Sequence, residues 1–338
     1  MLKGVSICIG GQQSERGVAG VSLDSKAIII LCSHLCVGEN VKPYEPAEWS
    51  RLAERLVNEG IRPCEVLSFC NDDFRGRLGF AQNEIDRMNR LIERSGSIAF
   101  EIERYASMGI YIMTRADAFY PRALKQKLAK SCPPIFYYAG NATLAERKCV
   151  GFVGSRSING TDEDFTIKTV QKCNEKGFGV VSGGAKGIDS IARTASIENG
   201  GFCVEYIADS LVRKIKDKSV VTAVLDNRLL VLSVAKPDAG FSTGFAMMRN
   251  KYIYSQSEGT VVVKSDYNKG GTWSGAINNL KSKRSATFCW NNPEYRGNTE
   301  LISKGAVPID WDWDADLLAY DEIDKANDTS EQLSLFEI

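Results

Sequence analysis

The sequence predicts an α/β chain: a mostly parallel sheet covered by helices on both faces, preceded by a small helical domain. Three observations carry this. Between residues 149 and 310, short apolar runs of strand length alternate with stretches of helical length, the pattern of a parallel sheet buried on both sides. Glycine, serine and a lone cation recur just after such runs, in CVGFVGSR (149–156), GVVSGGAKGID (179–189) and VVVKSDYNKGGTWSGA (261–276). Residues 22–108, by contrast, show helical periodicity alone. Together these describe a Rossmann-like, doubly wound sheet with a helical domain at its N-terminal side.

Taken in order, residues 1–21 form an N-terminal segment with no secretory apolar region. Residues 22–108 follow as helices in SKAIIILCSHL, PAEWSRLAERLVNEG and the long NEIDRMNRLIERSGSIAFEIERYASMG, with Gly60 and Gly109 closing two of them. The main domain spans residues 109–310 and opens with a strand, GIYIM, and a Pro-rich segment. Strands are then expected at 149–154, 178–182, 202–207, 229–234, 260–264 and 286–290, with helices at 163–176, 189–199, 243–257 and 273–282. Residues 311–338 form an acidic tail that ends in QLSLF.

Composition limits the function. The 338 residues hold 42 basic and 42 acidic side chains, so any nucleic-acid contact must come from a local cluster and not from net charge. No apolar run reaches membrane-spanning length. The ten cysteines are scattered, with Cys149, Cys203 and Cys289 in strand-like contexts, which fits reduced thiols in a cytoplasm. Cys32, His34 and Cys36 invite a zinc reading. A helix through SKAIIILCSHLCV would place both cysteines on one face and turn His34 away, and no second ligand pair follows, so they are expected to be core cysteines and no metal is expected. His34 is the only histidine and lies far in sequence from the glycine-rich loops, which removes a histidine base from any mechanism.

The loops themselves read as phosphate binders. In an open parallel sheet, ligands bind beyond the carboxyl ends of the strands, where glycines bring N–H groups close to an anion and helix N-termini add a favourable dipole. Gly154, Ser155 and Arg156 end the first strand, and the Arg156 fork can grip a phosphate. Ser182, Gly183, Gly184 and Gly187 form the second turn, where Ser182 can donate a hydrogen bond and Lys186 adds charge. Asp189 is expected to cap the next helix, since a carboxylate repels phosphate. Lys269, Gly270, Gly271 and Thr272 form the third loop.

VGSR, SGGAKGIDSIAR, FSTGFAMMRNKYIYSQSEGTVVV and KGGTWSGA, in that order, resemble the Smf/DprA family of DNA-processing proteins. A looser likeness runs upstream through TRADAFYPRALKQKLAKSCPPIFYYAGN (114–141). The resemblance implies binding of single-stranded DNA without catalysis or a cofactor, help in loading a RecA-type recombinase during DNA uptake or recombination, and a homodimer. It also implies that Phe241 stacks on a base, and that Arg249, Asn250 and Lys251 carry the family's RNR-like signature at the start of a helix. For Arg249 two readings stand, a phosphate contact or an ion pair under the sheet. The chain departs from the family at Arg193, where the family has histidine, which would add charge near the phosphate loop. It departs again in DSLVRKIKDKSVVTAVLDNR (209–228) and in GGTW, and no winged-helix-like domain is expected after Asp310.

Two rivals use the same fold. A nucleotide phosphoribohydrolase needs an acid after the GT turn, but Thr272 is followed by Trp273, Ser274, Gly275 and Ala276. A sensor of free nucleotides, of a kind that would serve phage defence, would use these same loops. Finally, Gln332, Leu333, Leu335 and Phe336 in the tail resemble the peptide that binds the bacterial DNA sliding clamp, with the apolar residues filling a groove.

Overall fold

The structure, a computed structural model, describes residues 21–38 and 41–316. Five helices come first: α1 (Leu23–Cys32), α2 (Pro46–Asn58), α3 (Asn71–Gly76), α4 (Gln82–Glu93) and α5 (Ser95–Ala106). The Ser22 side chain accepts from the Ser25 N–H to start α1, whose residues Ala27 to Cys32 are all buried. Pro46 and the reciprocal Glu45/Glu48 capping box start α2, which buries Trp49, Leu52 and Leu56 along one side.

Two helical expectations are corrected here. The first helix ends at Cys32 and does not run on to Cys36, which is exposed at φ +52°. Arg94 supplies the reason: its guanidinium donates to the Ile30, Ser33 and Leu35 carbonyls. A continued helix would need the Ile30 carbonyl for the residue 34 N–H. Cys32 is therefore buried while His34 and Cys36 lie beyond the helix, and no common face unites the cysteines. The long helix expected after residue 82 breaks into α4 and α5 at the same Arg94, just before Ser95, Gly96 and Ser97, which are weak helix formers.

The sheet contains β1 (Tyr111–Thr114), β2 (Ile135–Gly140), β3 (Cys149–Val153), β4 (Gly179–Ser182), β5 (Cys203–Tyr206), β6 (Leu229–Ser233), β7 (Ser257–Val262), β8 (Ala286–Trp290) and β9 (Val307–Ile309). Between them lie α6 (Arg122–Leu128), α7 (Gly160–Glu175), α8 (Ile188–Glu198), α9 (Leu211–Lys214), α10 (Lys218–Leu225), α11 (Thr243–Gln256), α12 (Gly270–Ser282) and α13 (Arg296–Ser303). Strand order is β1-β2-β6-β5-β4-β3-β7-β8-β9. From β6 to β9 every pair is parallel; β2 runs antiparallel to β6 and to β1. The mostly parallel, doubly wound sheet is the predicted one. Strand β2, hidden in the sequence behind Pro133 and Pro134, extends it.

Each sheet face has its own core. One face packs Phe152, Phe165, Val231 and Phe288 together with Ile29 and Met88 from the N-terminal helices. The other packs Phe136, Tyr206, Tyr252, Trp273 and Leu301. Residues 311–316 fold back on the first face: Trp311 meets the edge of Phe165, which stacks on Trp290 at 4.2 Å, and Lys172 donates to the Trp311 and Trp313 carbonyls. Among the described residues no helix is long and apolar enough to cross a membrane.

The winding decides where a ligand can sit. From β3 the chain builds outward through β4, β5 and β6, then returns to place β7 on the other side of β3. Helices after β3 and β7 diverge at that reversal, which leaves a crevice beyond their carboxyl ends.

Candidate nucleic-acid interface

A cleft of about 460 Å³ opens at this switch point. Its walls come from Gly154, Ser155 and Arg156 after β3, from Lys264 and Asp266 after β7, and from Lys269, Gly270, Gly271 and Thr272 at the start of α12. Its floor is α11, through Arg249, Asn250, Ile253 and Tyr254. Lys269 occupies the N-cap position of α12 and is exposed. The first N–H groups of α12 point towards the cleft with the positive end of the helix dipole.

The loops are held by bonds within the chain. Ser155 N–H donates to the Lys264 carbonyl at 3.0 Å, and its hydroxyl accepts from Ser157 N–H at 3.1 Å, which closes the turn and leaves Arg156 exposed. Gly187 is required by geometry: φ is +80°, and a Cβ would stand 2.4 Å from the Ser155 carbonyl oxygen. The first and second loops therefore touch through backbone, and only glycine fits there.

Several expected residues do something different. Ser182 is fully buried at the end of β4, and its hydroxyl has no partner among the described residues and no access to the cleft. The strand carries it inward, since β4 is buried along its whole length. Asp189 does not cap α8, where Gly187 is the N-cap; its carboxylate instead accepts from Ala185 N–H at 3.2 Å, across the loop. Burial raises the Asp189 pKa, against the pull of the nearby Arg249 cation and the backbone donors. Arg193 turns away from the cleft into a buried ion pair with Glu205 at 3.3 Å. Lys186 is exposed on the loop beside the cleft and does not line it.

The RNR-like signature lies in the middle of α11 and not at its start. Arg249 donates to the Gly183 carbonyl at 2.6 Å and still lines the cleft, so it clasps the second loop from the floor. Burial lowers its pKa, and Asp189 acts in the opposite direction. Asn250 donates to the Gly271 carbonyl at 3.0 Å and ties α11 to α12. Lys251 is exposed on a second groove of about 470 Å³, which shares Arg156, Arg249, Asn250, Gly270 and Gly271 with the cleft. Phe241, 54% exposed, and Met247, 66% exposed, line that groove. Cleft and groove form one path: Arg156 lines both, Lys269 lines the cleft, and Lys251 and the uncovered Phe241 ring line the groove.

Sequence reasoning missed Lys264 and Asp266, although both lie in the VVVKSD run beside the third loop. Lys264 is 2.9 Å from Asp162, which also accepts from the Tyr295 hydroxyl at 2.6 Å. Burial lowers the Lys264 pKa, but the bond and charge of Asp162 outweigh it and leave it raised. Its charge is thereby partly spent before a ligand arrives. The tail residues Gln332, Leu333, Leu335 and Phe336 lie outside the described residues.

Comparison with known proteins agrees with the fold. The family model for DNA recombination-mediator protein A matches residues 111–316, more than half the chain. DNA processing protein DprA of Bacillus subtilis is 26% identical over 228 residues, 66% of this chain and 74% of that protein. DprA of Streptococcus pneumoniae is 29% identical over 171 residues, half of this chain and 58% of that protein. Among solved structures, S. pneumoniae DprA matches with TM-score 0.58 at 21% identity, covering 81% of this chain and 95% of that one. DprA of Helicobacter pylori, described for its mode of single-stranded DNA binding, matches with TM-score 0.51 at 22% identity, covering 63% of this chain and 94% of that one. At these identities the structural likeness speaks to fold. With the family model covering β1 to the end of the described sheet, this chain belongs to the DNA recombination-mediator protein A family.

Proposed function

We propose that the protein binds single-stranded DNA in the cleft and groove, with little sequence preference, and acts as a recombination mediator that helps load a RecA-type recombinase. The observation that carries this is the path itself: glycine-rich strand ends and the α12 N-terminus at a switch point, three cations along it, and the exposed Phe241 ring lining the groove. Phosphates are held by charge and backbone N–H groups; a base stacks on the ring, a contact that tolerates any sequence. The Helicobacter relative's single-stranded DNA binding supports the same reading. Binding without catalysis fits α12, which carries no acidic residue for general acid–base work after the Gly270–Thr272 turn. Free thiols, six of them buried among the nine described, fit action in the cytoplasm.

The test is titration of a labelled oligonucleotide, with mononucleotides as competitors. Arg156→Ala combined with Lys269→Ala should weaken binding about a hundredfold or more, at about 1.5–3 kcal/mol per lost charged contact. Unchanged affinity would place the site elsewhere. Competition by a mononucleotide at micromolar concentration would favour a nucleotide sensor, because the cleft volume lies within the small-ligand range.

Two further parts of the reading concern partners. A homodimer would present two such paths, and light scattering at micromolar concentration that returns a monomer mass removes it. The tail peptide carrying Gln332, Leu333, Leu335 and Phe336 is proposed to bind the sliding clamp, since burying Leu335 and Phe336 contributes about 1.5–3 kcal/mol each. Equal binding of the peptide and its double alanine variant to purified clamp would refute this.

A further inference from the structure

Beneath the second glycine-rich loop, and outside the cleft, lies a buried cluster that the proposed binding reaction does not use. Glu205 on β5 is fully buried, and two cations converge on it. The Arg193 guanidinium from α8 is 3.3 Å from Oε1, and the Lys214 ammonium from α9 is 2.9 Å from Oε2. Lys214 also donates to the Gly184 carbonyl at 2.9 Å, and Arg193 donates to the Ser219 hydroxyl at 3.1 Å in α10. The loop rests directly on this cluster: Gly184 has φ +63°, and a Cβ there would lie 2.8 Å from Glu205 Oε2 and 3.0 Å from Ile207 Cγ2.

We infer that Glu205 and Lys214 are positioning residues for the Gly183–Gly187 loop, setting its backbone for the anion in the cleft without touching the anion. Three features lead there. A buried carboxylate is costly unless its charge is matched, and here one carboxylate is matched by two cations from different elements. Its second cation bonds a loop carbonyl, so the loop is tied to the sheet from below as Arg249 ties it from the cleft side at the adjacent Gly183 carbonyl. Neither Lys214 nor Glu205 lines the cleft. The cluster also gives a role to Arg193 and to the 209–228 segment, two of the places where the chain departs from its family's pattern. Arg193 replaces a histidine with a fork that reaches Glu205 and Ser219, and α9 brings the lysine that completes the clamp.

The inference rests on the single-stranded DNA reading for its consequence but not for its geometry, so the experiment has two arms. In the first, backbone amide exchange is followed in the free full-length protein. Lys214→Met keeps the aliphatic stem and removes the donor, and it should speed exchange at Ala185, whose N–H is held by Asp189, about tenfold or more while β4 and β5 amides stay protected. Lys214→Arg should restore protection. In the second arm, oligonucleotide affinity is measured against salt. A phosphate-binding lysine lowers the salt slope by about 0.7 when removed, whereas a positioning lysine weakens binding at an unchanged slope. Unchanged loop exchange in Lys214→Met overturns the clamp. A slope reduced by about one contact shows instead that Lys214 meets phosphate itself. If the parent protein binds no oligonucleotide, the functional reading fails alone, and the exchange arm still decides the clamp.

Discussion

Asp189 is the residue where local chemistry and site chemistry meet. It stands in the cleft proposed to bind an anion, yet its carboxylate is spent on Ala185 N–H and on the field of Arg249. Burial raises its pKa above the ordinary 3.8. Between 3.8 and the raised value, the folded protein keeps a proton that the unfolded chain has lost. The folded state then binds more protons, so this group's contribution to stability is full below 3.8 and is lost as pH rises through the raised value. Asp189→Asn keeps an acceptor for Ala185 N–H but does not titrate. The melting temperature of the parent, taken relative to Asp189→Asn, should therefore fall as pH is raised from about 4 to about 7. A flat difference over that range would show that burial does not control this carboxyl. The sequence identified Asp189 as a structural acid and misjudged its partner, because helix-capping preference says nothing of a loop that curls back over its own helix start.

At the scale of elements, one side chain joins three helices. Arg94 sits at the break between α4 and α5 and satisfies carbonyls at the end of α1. Arg94→Ala should destabilise the protein by about 3 kcal/mol or more, since three buried acceptors lose their donor and a cavity opens. Arg94→Lys should recover only part, because one ammonium lacks the fork that reaches several carbonyls. Urea denaturation of the three proteins reads this directly, and equal midpoints would show that water replaces the guanidinium. Helical periodicity on both sides of residue 94 gave no sign of the break. Long-range hydrogen bonds across about sixty residues fixed it.

For the whole molecule, neutrality is the useful fact. With 42 basic and 42 acidic residues there is no general attraction to a polyanion, so the proposed binding depends on the local path. Arg156, Lys186, Lys251 and Lys269 are the exposed cations along and beside it. If all four meet phosphates, log affinity should fall with log salt at a slope of about −3, at roughly 0.7 per contact. A slope steeper than about −5 would require a second cationic surface. Phe241→Ala should lower affinity by about 1–3 kcal/mol and leave that slope intact, because stacking releases no counterions.

Sequence alone determined the alternation of strands and helices, and with it the parallel sheet and the glycine-rich loops that line a cleft at its strand ends. Those properties depend on local periodicity and on where glycine and lone cations recur, and both are written along the chain. Only the tertiary structure decided which side chains face the cleft. Ser182 and Lys264 stand at strand ends, and Arg193 on the helix that follows the second loop, where the pattern favours phosphate. Yet Ser182 points inward, Arg193 answers a buried glutamate on β5, and Lys264 is paired with Asp162. Orientation about a strand and the choice of a charge partner depend on residues far away in sequence. The fold brings those residues together, and the cations that remain exposed along the cleft and groove are Arg156, Lys251 and Lys269.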